Sequence, residues 1–175
     1  MSINNPAAQS KYSYYVSRPL GMPGLEDRAS HNFVVTDASY SGDPNAIIHS
    51  YGKTANGRVG RVDENTTEFS DGTHETDLQH WISLGTTSPD LGVYALQIPA
   101  TSERVRSFAF SLIADQDYAA LGGIFGANSN SAAQAIVRAS TCIIIPPPDG
   151  ERISPGNSDA DEINFVIPLD CLDSE

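Results

Sequence analysis

Residues 126–137 read GANSNSAAQAIV, so Asn128, Ser129, Asn130 and Ser131 alternate amide and hydroxyl side chains just ahead of a small apolar run. Two uses are open to such a string. Asn and Ser before a helix accept hydrogen bonds from the free N–H groups of its first turn, the commoner role, which accounts for one or two of the four residues. Alternatively, a hydroxyl at a helix N-terminus can act as a nucleophile. The helix dipole and nearby N–H donors would then stabilise an oxyanion, and the Gly-rich approach YAALGGIFGA allows close backbone contact.

A serine nucleophile needs a base, and the chain has four histidines. His31 opens the apolar stretch HNFVVTDA, and His49 lies inside AIIHSYG. Both stretches read as strands joined by the turn-forming SYSGDPN. A hairpin turning near Tyr40–Pro44 sets His31 near the level of His49 or Tyr51. A base and its orienting partner on neighbouring strands is an arrangement that acyl transfer uses. The alternative is a packed His49 and a surface His31. His74 and His80 are six apart, do not share a helix face, and read as surface residues.

The remaining motifs argue against other chemistries. HExxH and CxxC are absent, so no metal site is expected. GxGxxG and Walker patterns are absent, ANGRVGRV is too loose to hold phosphate, and no cofactor is expected. NSDADE alternates oxygen donors but lacks the glycine and spacing of a calcium loop; it reads as solvated. Cys142 and Cys171 read as two free buried thiols, with a disulfide as the alternative, which would imply an oxidising compartment.

The chain has 175 residues and a formal net charge of −12, with its ten basic residues scattered. That balance disfavours a nucleic-acid groove or an anionic membrane surface. There is no apolar run long enough for a membrane span, and the polar start MSINNPAAQSKYS lacks a signal core. The chain therefore reads as cytoplasmic, exported without a classical signal peptide, or part of a longer protein. Residues 1–10 read as a disordered lead-in and 11–175 as one soluble domain.

The elements that must position these side chains follow from periodicity. YSYYVSRPL (12–20), 31–38, 46–52 and GVYALQIPA (92–100) read as strands, with a short one near Val59–Val62. THETDLQHWISL reads as a helix capped by Thr73, with Glu75 and Asp77 in its first turn and Leu78, Trp81 and Ile82 on its apolar face. Trp81 reads as core. TSERVRSFAFSLIADQ buries Val105, Phe108, Ala109, Leu112 and Ile113, and the helix after NSNS buries Ala132, Ala133, Ile136 and Val137. TCIII (141–145) and INFVIPL (163–169) read as closing strands. The fold class is α+β, a mostly antiparallel sheet packed against two or three helices.

This order of pieces resembles the circularly permuted papain-like superfamily, the NlpC-type amidases and related acyl-transfer enzymes. YVSRPL precedes HNFVV and IIHSYG on strands; much later come a Tyr-containing loop and NSNSAAQAIV opening a helix. The likeness covers residues 12–140 as an order of elements rather than as identity. It implies an amide or ester hydrolase or acyl transferase, of the kind found among bacterial cell-wall amidases and secreted effectors, with a peptide or peptidoglycan-like substrate. It implies His31 as base, His49 as the orienting residue, Asn128 beside the oxyanion, and Tyr118 in the loop before the nucleophile, with Tyr51 near the site. Ser129 stands where the family has cysteine. The departure matters because a His-paired thiolate forms readily, whereas serine needs a stronger base and oxyanion hole. A serine enzyme, an inactive peptide- or glycan-binding module on the same scaffold, and a deliberate Cys→Ser replacement all fit that departure. These roles require a cleft bordered by His31, His49 and Ser129.

Overall fold

In a computed structural model the described residues are 10–21, 28–54, 56–62, 73–112, 117–118, 128–149 and 171. They form strands β1 (Tyr12–Pro19), β2 (Ser30–Ala38), β3 (Ile47–Lys53), β4 (Val59–Val62) and β5 (Tyr94–Gln97). The helices are α1 (Thr73–Ser83), α2 (Ser102–Ser111) and α3 (Ser129–Thr141). All strand pairs are antiparallel, in the order β4-β3-β2-β1-β5. The architecture is thus α+β.

The sheet is covered on both faces, which is why its central strands are apolar almost continuously rather than alternating. Tyr15, Val34, Tyr51 and Val59 pack under α2 and α3. Tyr14, Val16, Phe33, Val35 and Ile48 pack against Trp81 of α1. Burial of each such side chain contributes about 1.5–3 kcal/mol. Helix α3 meets the sheet through Ala132, Ala133, Ile136 and Val137, all fully buried. Its short alanines let the helix backbone lie close to β2.

The β2–β3 turn forms where SYSGDPN predicts it. Asp43 organises it, accepting from the backbone N–H of Ser39 (2.8 Å) and Asn45 (2.9 Å). The Trp81 indole N–H donates to the Asp43 carbonyl at 2.9 Å, tying α1 to this turn. Gly42 has φ +86° and lies against Gly85, just past the end of α1.

Three expectations need correction. TCIII is not a strand: Thr141 closes α3, Cys142 caps it in the left-handed region (φ 61°), and Ile143 and Ile144 are exposed, with no neighbouring strand among the described residues. The cysteines are not free thiols; Cys142 and Cys171 are disulfide-bonded, with Cα atoms 5.0 Å apart. Arg104 of α2 sits beside this bridge and donates to the Ser140 carbonyl at 2.7 Å, serving the carbonyl end of α3. His74 and His80 are half-buried rather than surface residues. Ile113, residues 119–127 of the Gly-rich approach to α3, NSDADE and INFVIPL lie outside the described residues.

Candidate active site

Each residue of NSNS has a distinct partner. Asn128 is the N-cap: its Oδ1 accepts from the backbone N–H of Asn130 (2.9 Å) and Ser131 (3.2 Å). The Ser131 hydroxyl accepts the Asn128 backbone N–H at 3.2 Å, completing a reciprocal capping box. Capping therefore accounts for two of the four residues. Asn130 turns to β2. Ser129, the first helical residue, places its Oγ 3.0 Å from Nδ1 of His31.

His31 sits near the start of β2, between two helices. Its Nδ1 meets α3, and its Nε2 lies 3.1 Å from Oδ2 of Asp77 on α1. The other Asp77 oxygen, Oδ1, accepts from Arg18 Nε at 2.6 Å, and Arg18 pairs directly across from His31 on β1. Arg18 also donates from Nη1 to the Pro19 carbonyl (3.0 Å). The Phe33 ring stacks on the imidazole with centroids 6.3 Å apart. Ser129, His31 and Arg18 are buried, and Asp77 is completely so.

Burial alone pushes the Asp77 carboxyl up. The His31 ring and the Arg18 guanidinium outweigh that effect, with hydrogen bonding added, and hold it at about 2. A carboxylate facing Nε2 favours the tautomer with its proton on Nε2, which leaves the Nδ1 lone pair toward Ser129. The backbone N–H of Ser129 is at the first helical position, where a helix offers it no acceptor of its own.

The expected orienting residue is a different one. His49 pairs with Val34, three residues along β2 from His31 and on the opposite face of the sheet. Its Nε2 lies 2.9 Å from the Thr36 hydroxyl, and its ring meets Phe110 edge-on. Burial and the positive charge of Arg61 keep it neutral, its pKa lowered to about 3. His49 therefore does not border the Ser129–His31 pair, and the arrangement of His31, His49 and Ser129 around one cleft that the papain-like resemblance requires is not the one these residues adopt. Tyr51 is not at the pair either: it is buried under α2 and donates to the Ala109 carbonyl at 2.6 Å. Tyr118 packs against the same core cluster, its backbone N–H donating to the Gly57 carbonyl at 2.8 Å. His80 pairs with Asp90 at 2.9 Å on the outer side of α1.

The sequence reading gives Asp77 only a place in the first turn of α1, whereas it is the fifth residue of that helix and fully buried, and it gives Arg18 no role. The available signal was spacing: Asp77 precedes Trp81 by four, so a carboxylate shares the apolar face of α1. Arg18 carries no comparable signal, because only the β1–β2 register puts it opposite His31. Among the described residues no cluster of His, Cys, Asp and Glu has metal-binding form, and no helix is long and apolar enough to cross a membrane.

Comparison with protein-family models, with curated proteins and with solved structures yields no match for this chain.

Proposed function

We propose that this protein is a hydrolase or acyl transferase acting on an amide or ester bond, with Ser129 as nucleophile. The observation that carries the reading is the buried series Ser129 Oγ–His31 Nδ1 (3.0 Å) and His31 Nε2–Asp77 Oδ2 (3.1 Å). His31 takes the Ser129 proton on Nδ1 as Oγ attacks the carbonyl carbon. Asp77 holds the ring in the required tautomer and stabilises the imidazolium. The Ser129 N–H, at the positive end of α3, faces the developing oxyanion. His31 then delivers the proton to the departing amine or alcohol, and water or a second acceptor releases the acyl group by the reverse sequence. Asp77 takes the place that the sequence reading gave to His49. The disulfide favours an exported or otherwise oxidising setting, in keeping with a peptide or peptidoglycan-like substrate outside the cytoplasm.

A second reading has its own support: Ser129 and His31 are only 5 % and 4 % exposed. On that reading the cluster fastens α1 and α3 to β2 in an inactive peptide- or glycan-binding module. Reaction with a fluorophosphonate separates the two, because Ser129 Oγ must displace fluoride with the help of His31. The expected result is a covalent adduct on Ser129, found by peptide mass spectrometry, with its rate reduced about 10²-fold or more in His31→Gln. No adduct above the Ser129→Ala background would refute the catalytic reading.

A further inference from the structure

We infer that Asn130 is the positioning residue that sets the distance between Ser129 and His31; this deepens the acyl-transfer reading and rests on it. The Asn130 side chain holds the backbone on both sides of His31. Its Nδ2 donates to the Ser30 carbonyl at 2.9 Å, and its Oδ1 accepts the Asn32 N–H at 2.6 Å. A primary amide carries the donor and acceptor of a peptide group, so Asn130 pairs with β2 as a neighbouring strand would.

Among the described residues no strand fills that place. The Ala29 carbonyl accepts from Leu20 N–H at 3.0 Å, on the β1 side. Carbonyls alternate along a strand, so the Ser30 carbonyl points away from β1. On that side β3 pairs with β2 at Val34, Val35 and Thr36. Asn130 occupies the position beyond this ladder, directly beside His31.

The receiving end is itself fixed. The Ser17 hydroxyl donates to Asn32 Oδ1 at 2.7 Å, and Asn32 Nδ2 donates to the Tyr15 hydroxyl at 3.3 Å. Tyr15 donates in turn to Gln134 Oε1 at 3.1 Å, one helical turn along α3 from Asn130. Asn130, Asn32, Ser17, Ser30 and Tyr15 are all buried, so these bonds are shielded from competing water. Nucleophile and base lie 98 residues apart in the chain. Asn130 follows the one and brackets the other, so a shift of α3 against β2 that parts them must also break these two bonds.

The test needs no substrate. Ser129→Cys places a thiol beside His31, and the natural cysteines, being bonded to each other, do not titrate. Thiolate absorbance near 240 nm is followed against pH in Ser129→Cys, Ser129→Cys/His31→Gln and Ser129→Cys/Asn130→Ala. The expected midpoint for the first lies well below the ~8.5 of a free thiol. The Asn130→Ala form is expected to rise to the His31→Gln midpoint, with its circular dichroism unchanged. If it keeps the low midpoint, Asn130 does not position the pair, although the acyl-transfer reading survives. If His31→Gln leaves the midpoint of Ser129→Cys where it was, His31 does not poise position 129, and the acyl-transfer reading fails together with this inference. Should Asn130→Ala not fold, amide exchange in the unaltered protein decides: slow exchange at Asn32 N–H and one Asn130 side-chain proton supports the clamp, and unprotected exchange at both overturns it.

Discussion

His49 should make this protein lose stability in mild acid, and replacing it should remove that loss. The ring is completely buried under the sheet and has its pKa lowered to about 3 from 6.5. In the unfolded chain it binds a proton below about 6.5. Between the two values the unfolded state holds one more proton than the folded state, so stability rises with pH and falls as pH is lowered. The slope is about 1.4 kcal/mol per pH unit inside that window. Lowering the pH from 7.5 to 5 should therefore remove about 2 kcal/mol through this one residue, and the loss levels off only near the folded value. The assay is urea unfolding at pH 7.5, 6, 5.5 and 5 at constant ionic strength, for the unaltered chain and His49→Gln. Gln is close in volume and can still meet the Thr36 hydroxyl. The variant starts less stable at pH 7.5, and its curve against pH should be flatter by about 2 kcal/mol over the range. His31, His74 and His80 are present in both proteins, so the difference between the two curves reports His49 together with its coupling to His74. Parallel curves would refute the reasoning, since His49 would then titrate alike folded and unfolded. Fluorophosphonate labelling of Ser129 should proceed at the same rate in both proteins.

Asp77→Ala should cost about 3–5 kcal/mol in urea unfolding, because the buried Arg18 loses its carboxylate; Arg18→Met/Asp77→Leu should recover most of that stability but not Ser129 labelling. Asp77 should also add a second acid transition. Its carboxyl is lowered to about 2 from 3.8, so its stabilisation is complete above 3.8 and lost as pH falls through about 2, measurable as lost ellipticity below pH 4. Replacing Cys142 and Cys171 together by Ser opens a loop spanning 29 residues; the expected cost is about 3–4 kcal/mol, or roughly 10 °C in Tm by calorimetry. Gly42→Ala would set a Cβ 2.6 Å from Gly85 Cα at a φ of +86°; about 3 kcal/mol should be lost, and α1 should show faster amide exchange as its contact with the turn opens.

Much of the fold was legible because periodicity records burial. Strands β1 to β3, the Val105–Ala109 part of the α2 stripe and the Ala132–Val137 face of α3 all follow from apolar spacing, and Ser39–Asn45 follows from turn chemistry; the helix expected to run on through Leu112 ends at Ser111, with Leu112 extended as its C-cap. TCIII misled for a physical reason: a β-branched run makes a strand only where another strand offers hydrogen bonds, whereas here Cys142 ends a helix in the left-handed region. His49 misled similarly, since composition says that a histidine is in a strand but not which face it takes. Register decides that, and it turns His49 toward Thr36 and away from His31.

By itself the sequence determined which side chains were available: a helix-opening serine among amides, a histidine at a strand start, and no metal or phosphate motif. Helix capping is local, so the roles of Asn128 and Ser131 also lay within it. Tertiary structure alone decided the constellation. Ser129 and His31 are separated by 98 residues and His31 and Asp77 by 46, and no local propensity encodes either meeting. Each depends on a helix being pressed against opposite sides of one strand by its own apolar face. The clamp of Asn130 on β2 then settles where the serine stops.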